Sequence, residues 1–141
     1  MSTLNNAMAA SASALTAERV RIEVAVSNLA NAESTGGPNG QPYRRRDVVL
    51  RSDPGSFGDA LDATRPAGVK VADVVEDQSP FQTKFMPGHP DADESGYVHL
   101  PNIDAADEMV DMLTASRAYQ ANLTAVNLIR DMVQKALDLG R

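Results

Sequence analysis

Two histidines, His89 and His99, bracket three carboxylates in the run His89-Pro90-Asp91-Ala92-Asp93-Glu94-Ser95-Gly96-Tyr97-Val98-His99. Imidazoles and carboxylates are the ligands of hydrolytic metal centres, where the ion activates water. Asp91, Asp93, Ser95 and Gly96 also occupy the first, third, fifth and sixth places of a calcium loop, but the twelfth place, which needs a bidentate Glu, is Asn102. The flanks carry Pro87, Pro90 and Pro101 rather than helices. The run reads better as a tight turn whose Asp side chains accept from the backbone ahead of a strand. A metal-dependent hydrolase using His89, Asp91, Asp93 and His99 is therefore the enzymatic competitor, and no metal or cofactor is expected.

The second cluster is Arg44-Arg45-Arg46, after Tyr43. A phosphate or membrane surface would suit it. On a strand, however, Arg45 opposes Arg44 and Arg46, and in an acidic chain pairing with carboxylates of neighbours is the better reading. The remaining carboxylate pairs have no His, Ser or oxyanion feature beside them, and there is no Gly-rich phosphate loop. Catalysis has no support here.

Composition points the same way. The 141 residues carry a net charge of −6, against nucleic acid, which needs a basic surface. Cysteine is absent, which removes disulfides and thiolate chemistry. Aromatic residues make up only 4%, so any core rests on Ala, Val, Leu and Met, side chains that suit close helix contact. No stretch approaches the ~20 apolar residues of a membrane span, so no membrane insertion is expected. The first residues lack the basic and apolar regions of a cleavable signal.

Three parts position these residues. From Leu4 to about Asn31 there is no Gly or Pro, and Ala12, Leu15, Ile22, Val26 and Leu29 recur at helical spacing, with Arg19 interrupting. A firm helix is expected from about Ala14 to Asn31 with a frayed start, since Ser, Thr and Asn are weak helix formers. Glu33 to Pro38 supplies the turn. From Asp104 to Leu139, Met109, Met112, Tyr119, Leu123, Val126, Val133 and Leu137 form a heptad seam with Ser116 and Arg130. Asp104 is the expected N-cap, Asp107 and Glu108 suit the helix N-terminus, and Gly140 ends it. About 35 helical residues span roughly 50 Å, too long for a small globule to bury.

The middle holds most of the glycines and all eight prolines. Short strands are expected at 43–50, 69–76, 81–86 and 97–100, with a loop over 52–68. The fold class is α+β: long N- and C-terminal helices pair as an antiparallel coiled coil around a small β-rich middle. Residues 1–35 and 104–141 form the helical domain and 36–103 the middle segment. Off the seam lie Ala25, Asn28, Ala30, Ala115, Ala118, Ala121 and Asn122, where a solvated face would carry Lys and Glu. These faces read as contact surfaces for other subunits, with buried Asn fixing register. A soluble coiled-coil adaptor or secreted effector is the alternative.

The ends carry a resemblance. Ser27-Asn28-Leu29-Ala30-Asn31-Ala32 with Thr35 and Gly36 resembles the N-terminal signature of bacterial flagellar rod and hook proteins. Glu108 to Leu113 and Ala115 to Asn122 resemble their C-terminal signature. Pro42 to Arg45, Pro87 to Asp93, Gly96 to Val98 and Pro101-Asn102 are similar to the proximal rod members. The run Glu33-Ser34-Thr35-Gly36-Gly37 departs from the Thr-rich stretch common among relatives.

The resemblance implies a structural subunit of the basal-body rod, exported by the flagellar type III apparatus without a cleaved signal. It would polymerise helically in the periplasm into the torque-transmitting shaft. Its partners would be copies of itself, other rod proteins and the rod-to-MS-ring adaptor. Asn28, Leu29, Asn31, Met109, Met112, Arg117, Tyr119 and Asn122 carry over as assembly positions, and the helical stripes add Leu15, Ile22, Val26, Leu123, Val126 and Val133.

Overall fold

The computed structural model describes residues 2–37, 40–53 and 67–139. Among them the chain forms helix α1 (Ser2–Ala30), strands β1 (Arg46–Asp53), β2 (Gly68–Glu76), β3 (Gln82–Phe85) and β4 (Tyr97–Leu100), and helix α2 (Ala105–Asp138). The fold is α+β, as expected. Most of the anticipated 52–68 loop and the expected terminator Gly140 lie outside the described residues.

The helices pack side by side and antiparallel. At one end Asn28 of α1 meets Glu108 of α2, and at the other Leu4 lies beside Val133 and Leu137. Asp104 caps α2: its extended backbone (φ −99°, ψ 116°) lets its carboxylate accept from the Ala106 amide at 2.8 Å. At the end of α1 the Asn31 side chain donates back to the Ser27 carbonyl at 2.8 Å. The Ser34 hydroxyl does the same to Asn31, so the freed carbonyls of the last turn are met. Helix α1 begins at Ser2 rather than near Ala14. Packing on α2 outweighs the weak propensity of its Ser- and Asn-rich first turns.

Strands β1 and β2 form an antiparallel hairpin from Arg46 opposite Glu76 to Asp53 opposite Gly68. A bulge falls where Val49 faces Asp73 but Leu50 faces Val71, leaving Ala72 unmatched and increasing the local twist. The hairpin lies along α1: the Val69 amide donates to the Ser13 hydroxyl at 3.0 Å, and Arg46 is held at Asn28. β1 thus runs back along the helix it follows. β3 and β4 form a second antiparallel pair. The first strand starts later than its expected position at Tyr43, because residues 43–45 cross the helix ends instead of joining the ladder.

Apart from Pro101, the buried apolar side chains among the described residues are Ala17, Ala25, Val98, Ile103 and Ala115. Three of the five are alanines, so the helices approach closely but keep little apolar surface from water. The seam also sits differently from its expected register. On α2 the inward positions are Glu108, Met112, Ala115, Tyr119, Asn122, Val126, Ile129 and Val133, all buried or half-buried, whereas Met109, Leu123, Arg130 and Leu137 are exposed. On α1 the buried residues are Ala17, Ala25 and Asn28. Leu15, Ile22 and Leu29 are half-buried and Val26 is exposed. Ala25, Asn28 and Ala115, expected as outward contact positions, are therefore spent inside the chain.

The turn between β3 and β4 turns on Gly96. Its φ is +82°, and a Cβ there would lie 2.9 Å from the Phe85 ring and 3.2 Å from Pro87. Phe85 stacks edge-on to Tyr97, centroids 5.3 Å apart. Gly96→Ala combines a left-handed backbone with a steric overlap, so it lowers stability by about 1–3 kcal/mol. Urea unfolding followed by tyrosine fluorescence measures this.

Candidate structural and assembly site

Three distant parts of the chain converge on one buried carboxylate. Glu108, in the first turn of α2, is 2% exposed, and Asn28, near the end of α1, is 1% exposed. The Asn28 Nδ2 donates to Glu108 Oε2 at 3.0 Å and to the Arg46 carbonyl at 2.8 Å. Its Oδ1 accepts from the Arg46 amide at 3.0 Å and the Tyr43 hydroxyl at 3.1 Å. Every donor and acceptor position of the amide is thereby used.

Arg45 supplies the charge. Its Nε donates to Glu108 Oε1 at 2.6 Å, and an outer nitrogen reaches Asp111 at 3.4 Å. Burial pulls the Arg45 pKa down, but the hydrogen bond and charge of Glu108 outweigh it, so the guanidinium is held above its usual value. A group raised on folding stabilises at every pH below its unfolded value and loses that effect only as pH rises through the folded one. The Arg45 guanidinium thus stays charged at any physiological pH. The Arg45 backbone is clamped as well: its amide donates to Asn102 Oδ1 at 3.0 Å, and its carbonyl accepts from the Asp77 amide at 2.8 Å. Among the described residues no buried side-chain polar atom lacks a partner.

The other two arginines behave differently. Arg44 lies over the Phe81 ring at 4.4 Å and donates to the Asp77 carbonyl at 3.2 Å. Arg46 lies over Tyr43 at 5.4 Å and reaches Glu76 at 3.8 Å. Carboxylates do receive Arg45 and Arg46, as expected, but only Arg46 is on a strand, so the separation of Arg45 from the other two comes from the crossing segment and not from strand alternation.

The His/Asp run is a turn. Asp93 Oδ1 accepts from the amides of Ser95 at 2.8 Å and Tyr97 at 2.9 Å. Asp91 accepts from the Thr35 hydroxyl at 2.7 Å, which ties the connector after α1 to this loop. His89 accepts from the Asp91 amide. Among the described residues no three His, Asp or Glu side chains converge at metal-ligand spacing. Asp77, whose carbonyl accepts from the Asn102 side chain, is held below the ordinary carboxylate range by the Ser79 hydroxyl and then its amide.

Of the expected assembly positions, Asn28 is inside the network. Asn31 and Asn122 turn back on their own helices. Met112, Tyr119, Val126 and Val133 lie along the α1-facing side of α2, while Val26, Met109, Arg117 and Leu123 face outward. Glu108, Arg45 and Tyr43 were missed as a set. The one signal for them was an acidic residue at the last place of a helix first turn with an Arg run elsewhere.

Outside this network α2 presents an apolar face. Met109, Val110, Leu113, Leu123, Leu128 and Met132 are all exposed, and between Met112 and Ile129 the helix carries a single charge, Arg117.

These ends match known families. Residues 1–38, which hold α1 and its connector, match the family described as flagella basal body rod protein. Residues 94–139, which hold β4 and α2, match the C-terminal region of the flagellar basal body rod FlgEFG proteins. The chain is 48% identical to the flagellar basal-body rod protein FlgC of Escherichia coli O6:H1 over 129 residues, 92% of each chain. It is 45% identical to that of Bacillus subtilis over 93% of this chain and 94% of the relative. Identity to that of Agrobacterium fabrum is 37%, over 99% and 96%. The chain belongs to the FlgC family of flagellar basal-body rod proteins. It is a structural subunit of the rod, not an enzyme, and it works in the flagellar basal body together with other rod and basal-body proteins. Among the described residues no helix is long and apolar enough to cross a membrane.

Removing Arg45 leaves the buried Glu108 charge without its cation. Arg45→Ala therefore costs about 3 kcal/mol, and Arg45→Lys recovers only part because it loses the guanidinium's planar donor geometry. Denaturant titration of the purified variants reads both effects.

Proposed function

We propose that the subunit polymerises helically through its terminal helices into a periplasmic shaft that transmits torque. The observation that carries this reading is the outer face of α2, a row of exposed apolar side chains that carries one charge between Met112 and Ile129. A solvated helix of this length is normally covered with Lys and Glu, and a patch of this kind marks a protein contact. Residues 1–35 and 104–141 are then the axial domain, and 36–103 the outer segment that touches neighbours.

The assembly positions fall into two groups. Leu15, Ile22, Leu29, Met112, Tyr119, Val126 and Val133 hold the helix pair, with Asn28, Asn31 and Asn122 setting its ends and register. Val26, Met109, Arg117 and Leu123 are the outward positions that meet other subunits. Partners are copies of this chain, other rod proteins and the rod-to-MS-ring adaptor. Delivery is by the flagellar type III export apparatus without a cleaved signal, a reading supported by the family membership.

Leu123 is 44% exposed in the free subunit, so Leu123→Asp leaves the fold intact and blocks incorporation, where the charge would be buried unpaired. Circular dichroism checks the fold, and immunoblotting of isolated basal bodies checks incorporation. Incorporation at wild-type level would sink the reading. The scant buried apolar surface also implies that dilute subunit holds less helix than the α1 and α2 spans together, regaining it on polymerisation. Ellipticity measured against concentration tests this, and full helicity at the lowest concentration would count against it.

A further inference from the structure

The helix pair has two unlike ends. Away from the β part, Leu4 and Asn5 of α1 and Val133, Ala136 and Leu137 of α2 line an apolar groove of about 270 Å3. Exposed Arg130 lies one turn back on the same side of α2 as Val133 and Leu137. At the other end a cleft is lined by Asp77, Asp104, Asp107 and Asp111, four acids against the single cation Arg45, which pairs with Asp111, and Val110 is on its wall. Val110 is 61% exposed, and Leu113 beside it is exposed too.

One end is thus an apolar socket flanked by a cation, and the other an apolar projection flanked by acids. About 40 Å of helix separates Val110 from Leu137, so socket and projection of one chain cannot meet. We propose that they meet between copies: Val110 of one subunit seats in the Leu4/Val133/Leu137 groove of the next, with Asp107 set against that copy's Arg130. This rests on the rod-subunit reading above and names which surfaces join.

Charge selects this arrangement over a symmetric one. Pairing two projecting ends would bring Asp104, Asp107 and Asp111 of both copies together, which is repulsive. Projection into socket brings opposite signs together. Because the two surfaces differ, the contact is heterologous, and repeating it extends a chain instead of closing a dimer.

The chain has no cysteine, so introduced ones report without background. The double variant Val110→Cys, Leu137→Cys is expressed as the sole copy in motile cells, and basal bodies are isolated, oxidised and run without reductant. A ladder of covalent multimers is expected from the double variant, and monomer alone from each single one. Intramolecular bridging is out of reach, since a disulfide needs Cα atoms within about 7 Å. Dimers from Val110→Cys alone would mean a symmetric contact and overturn the proposal. So would an uncross-linked double variant in basal bodies that contain it, or bands holding a different protein.

A charge exchange gives an independent reading. Asp107→Arg lowers incorporation roughly tenfold, and adding Arg130→Asp restores it; a double variant as poor as the single overturns the pairing. Absence of the unaltered subunit from basal bodies would instead remove the rod reading itself.

Discussion

Glu108 is a carboxylate held out of water, and the rest of the subunit is arranged around meeting its demands. An ionised group so placed costs several kcal/mol unless it is paired and hydrogen-bonded. Here Arg45 from the middle segment supplies the charge and Asn28 from α1 the remaining bond. The pairing ties the two helices and the segment that crosses their ends into one register. A slip by one position on either helix would strand the carboxylate. The network therefore specifies one arrangement where alanine-sized contacts alone would tolerate several.

That division of labour explains the hairpin's placement. β1 starts where Asn28 grips both the amide and carbonyl of Arg46, and β2 starts where Ser13 accepts from Val69. Two polar side chains on one helix, fifteen positions apart, set both ends of the strand pair. With roughly 1.5 Å per helical residue and 3.3 Å per strand residue, an eight-residue strand matches that span. The hairpin needs no large apolar face of its own, and its exposed Val49, Leu50, Val74 and Val75 reflect that.

Much of this was legible in sequence. Gly and Pro punctuation located all four strands within a few residues, and Asp104 announced its helix. The seam of α2 was harder because two neighbouring registers both have 3–4 spacing. Choosing large apolar residues selects Met109 and Leu123, whereas the fold turns in Glu108, Ala115 and Asn122, which a polar partner or a close approach makes acceptable. Asn28 was readable as a register residue, but its partners lie 18 and 80 positions away, and no local pattern links them. Arg45 and Glu108, 63 apart, are invisible for the same reason. The first turns of α1 look weak by propensity because the helix supporting them comes last in the chain.

The near absence of a dry interior sets how the protein responds to temperature. Unfolding a free subunit exposes little apolar area, and heat capacity rises with apolar area exposed. Its stability curve is correspondingly shallow, without a sharp optimum. In the proposed assembly, joining the outer faces of α2 to neighbours buries apolar area in the polymer, and with it comes the strong heat-capacity term. Hydrophobic association weakens on cooling, so the thermal sensitivity of such a shaft resides in the joints between subunits, while each subunit's own polar lock at Glu108 is comparatively indifferent to it.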